Sequence, residues 1–121
     1  MARILIVDDS PTEIFAFKRM LEDAGFQTAV ASTGEEGIEK ARREQPDLIL
    51  MDVVMPGMNG FQATRRLSKD PQTAAIPIIM ITTKDQETDR IWGLRQGARE
   101  YMIKPAKAAE LVGKIQGLLA Q

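Results

Sequence analysis

Three short runs of this 121-residue chain are apolar at nearly every position: Ile4-Leu5-Ile6-Val7, Leu48-Ile49-Leu50-Met51 and Ile76–Ile81. A strand that alternates apolar and polar residues keeps one face in water, whereas an unbroken apolar strand must be covered on both faces. Each run is followed by a longer stretch with helical spacing. Buried strands that alternate with helices constrain the chain to a parallel sheet with helices on both sides. Pro77 is tolerable at the first position of its strand, where the missing N–H does least harm.

Two further strands read differently. Residues 27–31 and Glu100–Ile103 mix polar with apolar side chains, so they belong at the edges of the sheet. That assigns the strand order 2-1-3-4-5, a flavodoxin-like α/β fold with five parallel strands. No linker, repeat or low-complexity tract interrupts the alternation, and residues 1–121 read as one domain with no output domain.

Local signals place the helices. Ser10-Pro11-Thr12-Glu13 is a helix start, with Ser10 as cap, Pro11 at the first position and Glu13 completing a capping box. Ile14, Phe17, Leu21 and Ala24 then recur at helical spacing up to Gly25. Thr33 and Glu36 open a second helix that ends near Glu44, with Glu36–Lys40 and Glu39–Arg43 on its wet face. Asn59 caps a third helix, from about Gly60 to Ser68, before Asp70-Pro71. A fourth covers roughly 85–96, and a fifth roughly 107–119, with Ala108, Leu111, Val112, Ile115 and Leu118 on one face.

In such sheets a ligand site lies beyond the carboxyl ends of the strands, near the switch between strands one and three. Asp8-Asp9 ends the first strand and Asp52 the third. Thr82 and Lys104 end the fourth and fifth. Two carboxylates ~4 Å apart repel by about 4 kcal/mol at an effective dielectric of ~20, so an acidic cluster of this kind calls for a proton or a cation. The chain has no histidine and no cysteine. That excludes Ser-His-Asp and Cys-His catalysis, ordinary zinc sites and disulfides. The chemistry left is that of carboxylates, hydroxyls, lysine and a hard cation such as Mg²⁺, which Asp9 and Asp52 could ligate with Asp8 nearby. Asp52 can attack a phosphoryl group to form an acyl phosphate. Lys104 would neutralise charge on the phosphoryl oxygens, and the Thr82 hydroxyl could donate to them.

Sixteen basic and seventeen acidic residues give a net charge of −1, which offers nothing to nucleic acid as a whole. The longest apolar runs are far short of a membrane span. The absence of cysteine fits a cytoplasmic protein.

The set Asp8-Asp9, Asp52 within DVVMPGMNG, Thr82, Tyr101 and Lys104-Pro105 resembles the receiver domain of two-component response regulators, over essentially the whole chain. The resemblance implies Asp52 as phosphoacceptor and Mg²⁺ held by Asp8, Asp9, Asp52 and the Val54 carbonyl. It also implies Thr82 and Tyr101 as a coupled switch pair, and a cis Lys104–Pro105 peptide. The runs DDSPTE, NGFQATR and TTKDQETD are similar to stand-alone regulators of the chemotaxis and type IV pilus (twitching motility) kind. A monomer is then expected, receiving its phosphoryl group from a chemotaxis-type histidine kinase or a histidine phosphotransfer domain. It would act on a downstream motility protein or serve as a phosphate sink. A degenerate receiver that only binds other proteins is the alternative, although every acidic, hydroxyl and lysine position is filled. A flavin mononucleotide carrier on this fold would need a hydroxyl- and glycine-rich loop where Asp8-Asp9 stands. An aspartyl phosphatase would need a second Asp where Val54 stands.

Some positions depart from the pattern. Thr83 stands where receivers usually carry a smaller residue, and is expected to slow phosphoryl entry or loss. Val54 and Lys84 offer no group to orient an attacking water. Trp92 lies about 100° around its helix from an Ile91/Leu94 face, and reads either as a half-buried filler or, with Tyr101 and Phe15, as part of a partner surface. Phe15 is expected to be partly buried near the phosphodonor side. Gly113 and Gly117 fall on the outer face of the last helix.

Overall fold

Alternate residues along the central strands enter two separate cores. The computed structural model describes residues Met1–Gln121. Its strands are β1 (Arg3–Val7), β2 (Gln27–Ala31), β3 (Leu48–Met51), β4 (Ile78–Thr82) and β5 (Glu100–Ile103). They form one parallel sheet in the order β2-β1-β3-β4-β5, as the polarity of the edge strands predicts. The helices are α1 (Pro11–Asp23), α2 (Gly34–Glu44), α3 (Gly60–Lys69), α4 (Glu87–Gln96) and α5 (Ala108–Leu119). Leu5, Val7, Ile49, Met51, Ile78 and Met80 pack on one face with Ile38, Ala41, Ala63 and Leu67 of α2 and α3. Ile4, Ile6, Leu48, Leu50, Ile79 and Ile81 pack on the other with Phe17, Leu21, Leu111 and Ile115 of α1 and α5. The period of two in a strand is what turns continuous apolar runs into two cores.

The caps follow the sequence with two adjustments. Asn59 and Gln62 form a full capping box, each accepting from the other's backbone N–H at 2.9 Å. Ser10 accepts from the Glu13 N–H at 3.3 Å, but the Ser10 N–H donates to Asp8 at 3.0 Å rather than to Glu13. Glu13 turns instead toward Lys104. Likewise Glu36 accepts from Ser32, one residue before the expected partner. Strand β4 begins at Ile78, two residues later than the apolar run, because Pro77 has no N–H to give and only its carbonyl joins the ladder, accepting from Ile49.

Helix α4 overturns one expectation. Its Ile91/Leu94 face is not a core face: Ile91, Trp92 and Leu94 are 43%, 49% and 36% exposed, and its buried residues are Gly93 and Gln96. A Cβ on Gly93 would come within 2.7 Å of Met80 Sδ and 2.9 Å of Tyr101 Cδ2, so the helix lies on the sheet through a position that admits no side chain. Trp92 is therefore a surface residue and not a filler. Phe15, at 55% exposure, is also out in solvent. Ala108 is exposed at the start of α5, and Gly113 and Gly117 face open space, as expected of an outer face.

Candidate functional site

Register decides which side chains meet. Val7 pairs with Met51, so the residues after them, Asp8 and Asp52, leave the sheet side by side. By the alternation that sends Ile4, Ile6, Leu48, Leu50 and Met102 to the α1/α5 face, Asp8, Asp52 and Lys104 emerge on that side together. Adjacent strands lie roughly 4.8 Å apart, and the side chains close the remaining distance. Lys104 Nζ donates to Asp8 Oδ2 at 2.9 Å and stands 3.6 Å from Asp52 Oδ2. Glu13, from the first turn of α1, lies 3.8 Å from the same ammonium. The Phe17 ring lies beneath it, 5.7 Å from Nζ. Sequence spacing did not identify Glu13 as part of this group, because its capping role accounted for it.

The cluster is buried and overcharged. Asp8 and Asp52 are 1% and 6% exposed. Carboxylate oxygens of Asp8, Asp9 and Asp52 all lie within 4.8 Å of one another, with Asp9 at the open side. Burial first, then the neighbouring Asp8 charge, pushes the Asp52 carboxyl above its ordinary value, against the pull of Lys104 and of backbone N–H groups. One of these, Val53 N–H, reaches Asp52 Oδ1 at 2.8 Å. Burial alone would lower Lys104, but the hydrogen bond to Asp8 and the charges of Asp52, Asp8 and Glu13 raise it instead. One ammonium thus faces several carboxylates, all hard oxygen donors. That is a site chemically suited to a small divalent cation.

Thr82 and Tyr101 belong to the opposite face of the sheet. Tyr101 packs against the core under α2 and α3, and Thr82 is fully buried. The two are joined through a residue the sequence offered only as a flanking position. The Lys84 N–H donates to Thr82 Oγ1 at 3.3 Å, and the Tyr101 hydroxyl donates to the Lys84 carbonyl at 2.8 Å. Thr83 and Val54 are exposed beside the site. The Lys104–Pro105 peptide is cis. The exposed large apolar side chains include Ile91, Trp92 and Leu94 on α4, Ile103 at the end of β5 and Phe15 on α1.

Gly60 locks the site loop to α3. Its N–H donates to the Val53 carbonyl at 2.9 Å, and any Cβ there would lie 2.0 Å from the Asp52 carbonyl oxygen. The backbone that carries Asp52 is therefore pinned directly against a helix start.

Residues 4–116 match the response regulator receiver domain. The chain is 58% identical over 120 residues to Protein PilH of Pseudomonas aeruginosa PAO1, covering 99% of each. It spans about half or less of the longer curated relatives that it also matches. Among solved structures, Vibrio cholerae chemotaxis protein CheY4 superposes with a TM-score of 0.91 at 32% identity, covering 98% of both chains. The receiver domain of sensor histidine kinase PA1611 from Pseudomonas aeruginosa superposes at 0.92 with 31% identity, covering 99% of this chain and 98% of that one. That structure has a magnesium ion coordinated in its active-site cleft. With the strand order, the acidic cleft and a match along nearly its whole length in agreement, this chain belongs to the response regulator receiver domain family.

Proposed function

We propose that the chain is a phosphoacceptor switch, with Asp52 as the residue phosphorylated. The observation that carries this reading is the position of Asp52: buried, 3.6 Å from the Lys104 ammonium and within 4.8 Å of the Asp8 and Asp9 carboxylates. A carboxylate oxygen of Asp52 attacks the phosphorus of a phosphohistidine on a histidine kinase or phosphotransfer domain. The new O–P bond forms as the P–N bond breaks, and the electron pair leaves on the imidazole nitrogen. Lys104 is already in place to meet charge on the transferred phosphoryl group, which requires it to loosen its hold on Asp8. Asp8, Asp9, Asp52 and the Val54 carbonyl would hold Mg²⁺, which would supply further neutralisation of the phosphoryl oxygens.

The readout follows the tie through Lys84. A phosphoryl group on Asp52 presents strong acceptor oxygens, and Thr82 turns its hydroxyl toward them and away from the Lys84 N–H. The loop shifts and carries the Lys84 carbonyl with it, the Tyr101 ring that is tied to that carbonyl and packed under Gly93 follows, and the exposed apolar side chains of α4 around Trp92 are re-presented to a partner. Phe15, on a shallow surface shared with Pro11 and Arg19 beside Asp9, suits the phosphodonor side. Whole-length similarity to PilH, together with the resemblance to twitching-motility regulators, supports a place in control of a type IV pilus from the cytoplasm.

The test is intact mass after incubation with Mg²⁺ and acetyl phosphate. Wild type should gain about 80 Da, and Asp52→Asn should gain nothing. An unmodified wild type, or an equally modified variant, overturns the assignment.

A further inference from the structure

Charge is not evenly spread over the five helices. Helix α3 carries Arg65, Arg66 and Lys69 with no acidic residue, whereas each of the other four mixes both signs. Most cations elsewhere are paired, among them Lys18 with Glu22, Lys40 with Glu36, Arg90 with Glu87 and Lys114 with Glu100. The three on α3 have neither an ion pair nor a side-chain hydrogen bond. They line an open groove of about 690 Å³ whose other side is Arg42 at the end of α2, and whose end is formed by Gly57 and Met58 of the loop descending from Asp52. One carboxylate, Asp70, also lines the groove, but it is taken up by Arg42, which donates to it at 2.6 Å, and by the Gln72 N–H, so the three cations of α3 are left without a partner.

The spacing has directional content. Residues 62, 65, 66 and 69 lie on one helical face, and Gln62 is occupied in the cap of its own helix. The cations thus form a short row of roughly 6 Å along α3, with Arg42 opposite. Unpaired guanidinium groups favour flat, two-oxygen acceptors. Small-molecule sites enclose their ligand between largely apolar walls. Here the groove is open and Met58 is its only apolar lining. A nucleic acid presents a phosphate charge about every 1.7 Å of duplex, far denser and longer than this row, and would meet a protein of net charge −1.

We infer that the α2/α3 groove is a docking surface for an acidic segment of a partner protein, read by Arg65, Arg66, Lys69 and Arg42 through spaced carboxylates. It shares no lining residue with the Trp92 surface or with Phe15.

The probe is a fluorescein-labelled helical peptide with Glu at positions i, i+3, i+4 and i+7, beside a matched peptide with Gln at those positions. Anisotropy should show binding of the Glu peptide alone, with backbone amide shifts concentrated in α3 and at Arg42. Arg65→Glu/Arg66→Glu should weaken it about tenfold or more. Arg95→Glu/Arg99→Glu, which changes net charge equally at two other unpaired cations, should leave it nearly unchanged. Equal loss in both double variants, equal binding of the Gln peptide, shifts concentrated away from α3 and Arg42, no binding at all, or tighter binding of oligothymidylate to the same face would each overturn the inference. The amide shifts are read on the wild type, so a variant that folds poorly does not remove the test.

Discussion

Helices α2 and α4 cover the same face of the sheet and are held there by different means. Helix α2 buries Ile38 and Ala41, and Gly37 brings its backbone against Val7, where a Cβ would lie 2.9 Å from a valine methyl. Helix α4 buries no large apolar side chain. It rests on Met80 and the Tyr101 ring through Gly93, and leaves Ile91, Trp92 and Leu94 in solvent. Both helices use a glycine to come close to the sheet, but α2 adds buried apolar area, whereas α4 adds only the buried Gln96. The lightly anchored one lies beside Tyr101, so the part of the molecule with least to lose on shifting is the part where a signal would be read. Weakly packed elements are where local rearrangement costs least.

The largest test of this contrast is Ile38→Ala. Removing a buried branched side chain from α2 should cost about 2–5 kcal/mol, read as a fall in the denaturant midpoint. A loss under 1 kcal/mol would place α2 in the same class as α4. Next is Gly93→Ala. Alanine gains about 1 kcal/mol in helix propensity, but overpacking against Met80 and Tyr101 costs about 1–3 kcal/mol. Net destabilisation with a displaced Tyr101 ring is expected, and a net gain in stability would mean that shape does not hold α4.

Tyr101 is the only tyrosine, so its titration is a clean readout of that displacement. Burial, then the charges of Asp89, Asp52 and Asp85, pushes its hydroxyl up to about 12. The folded protein keeps this proton where the unfolded chain gives it up. Stability from the neutral phenol is therefore intact below about pH 10 and is lost as pH rises through the folded value. Tyrosinate absorbance should appear near pH 12 in the wild type, and at lower pH in Gly93→Ala. The smallest effect is Trp92→Ala. For a half-exposed side chain outside the core, the change in stability should stay within about 0.5 kcal/mol. A larger loss would show that α4 is anchored by its apolar residues after all.

The strand order, the N-cap residues of α1, α2 and α3, and the convergence of Asp8, Asp9, Asp52, Thr82 and Lys104 on one sheet edge were legible in the sequence. They depend on local pattern: apolar runs, cap residues, and a parallel sheet's rule that strand ends gather on one side. Three things were not legible. Periodicity on α4 put Ile91 and Leu94 inward, but it takes the neighbouring Met80 and Tyr101 to show that only a glycine fits beneath that helix. Glu13 read as a capping residue until Lys104, 91 positions away, competed for its carboxylate. The link between Thr82 and Tyr101 runs through the backbone of Lys84, whose two polar groups are identical in every residue and leave no trace in side-chain pattern. Sequence by itself determined which groups reach the edge of the sheet, because alternation and strand polarity are properties of the chain. Only the tertiary structure decided which of them touch, since contact depends on volumes and on competing partners supplied by distant segments.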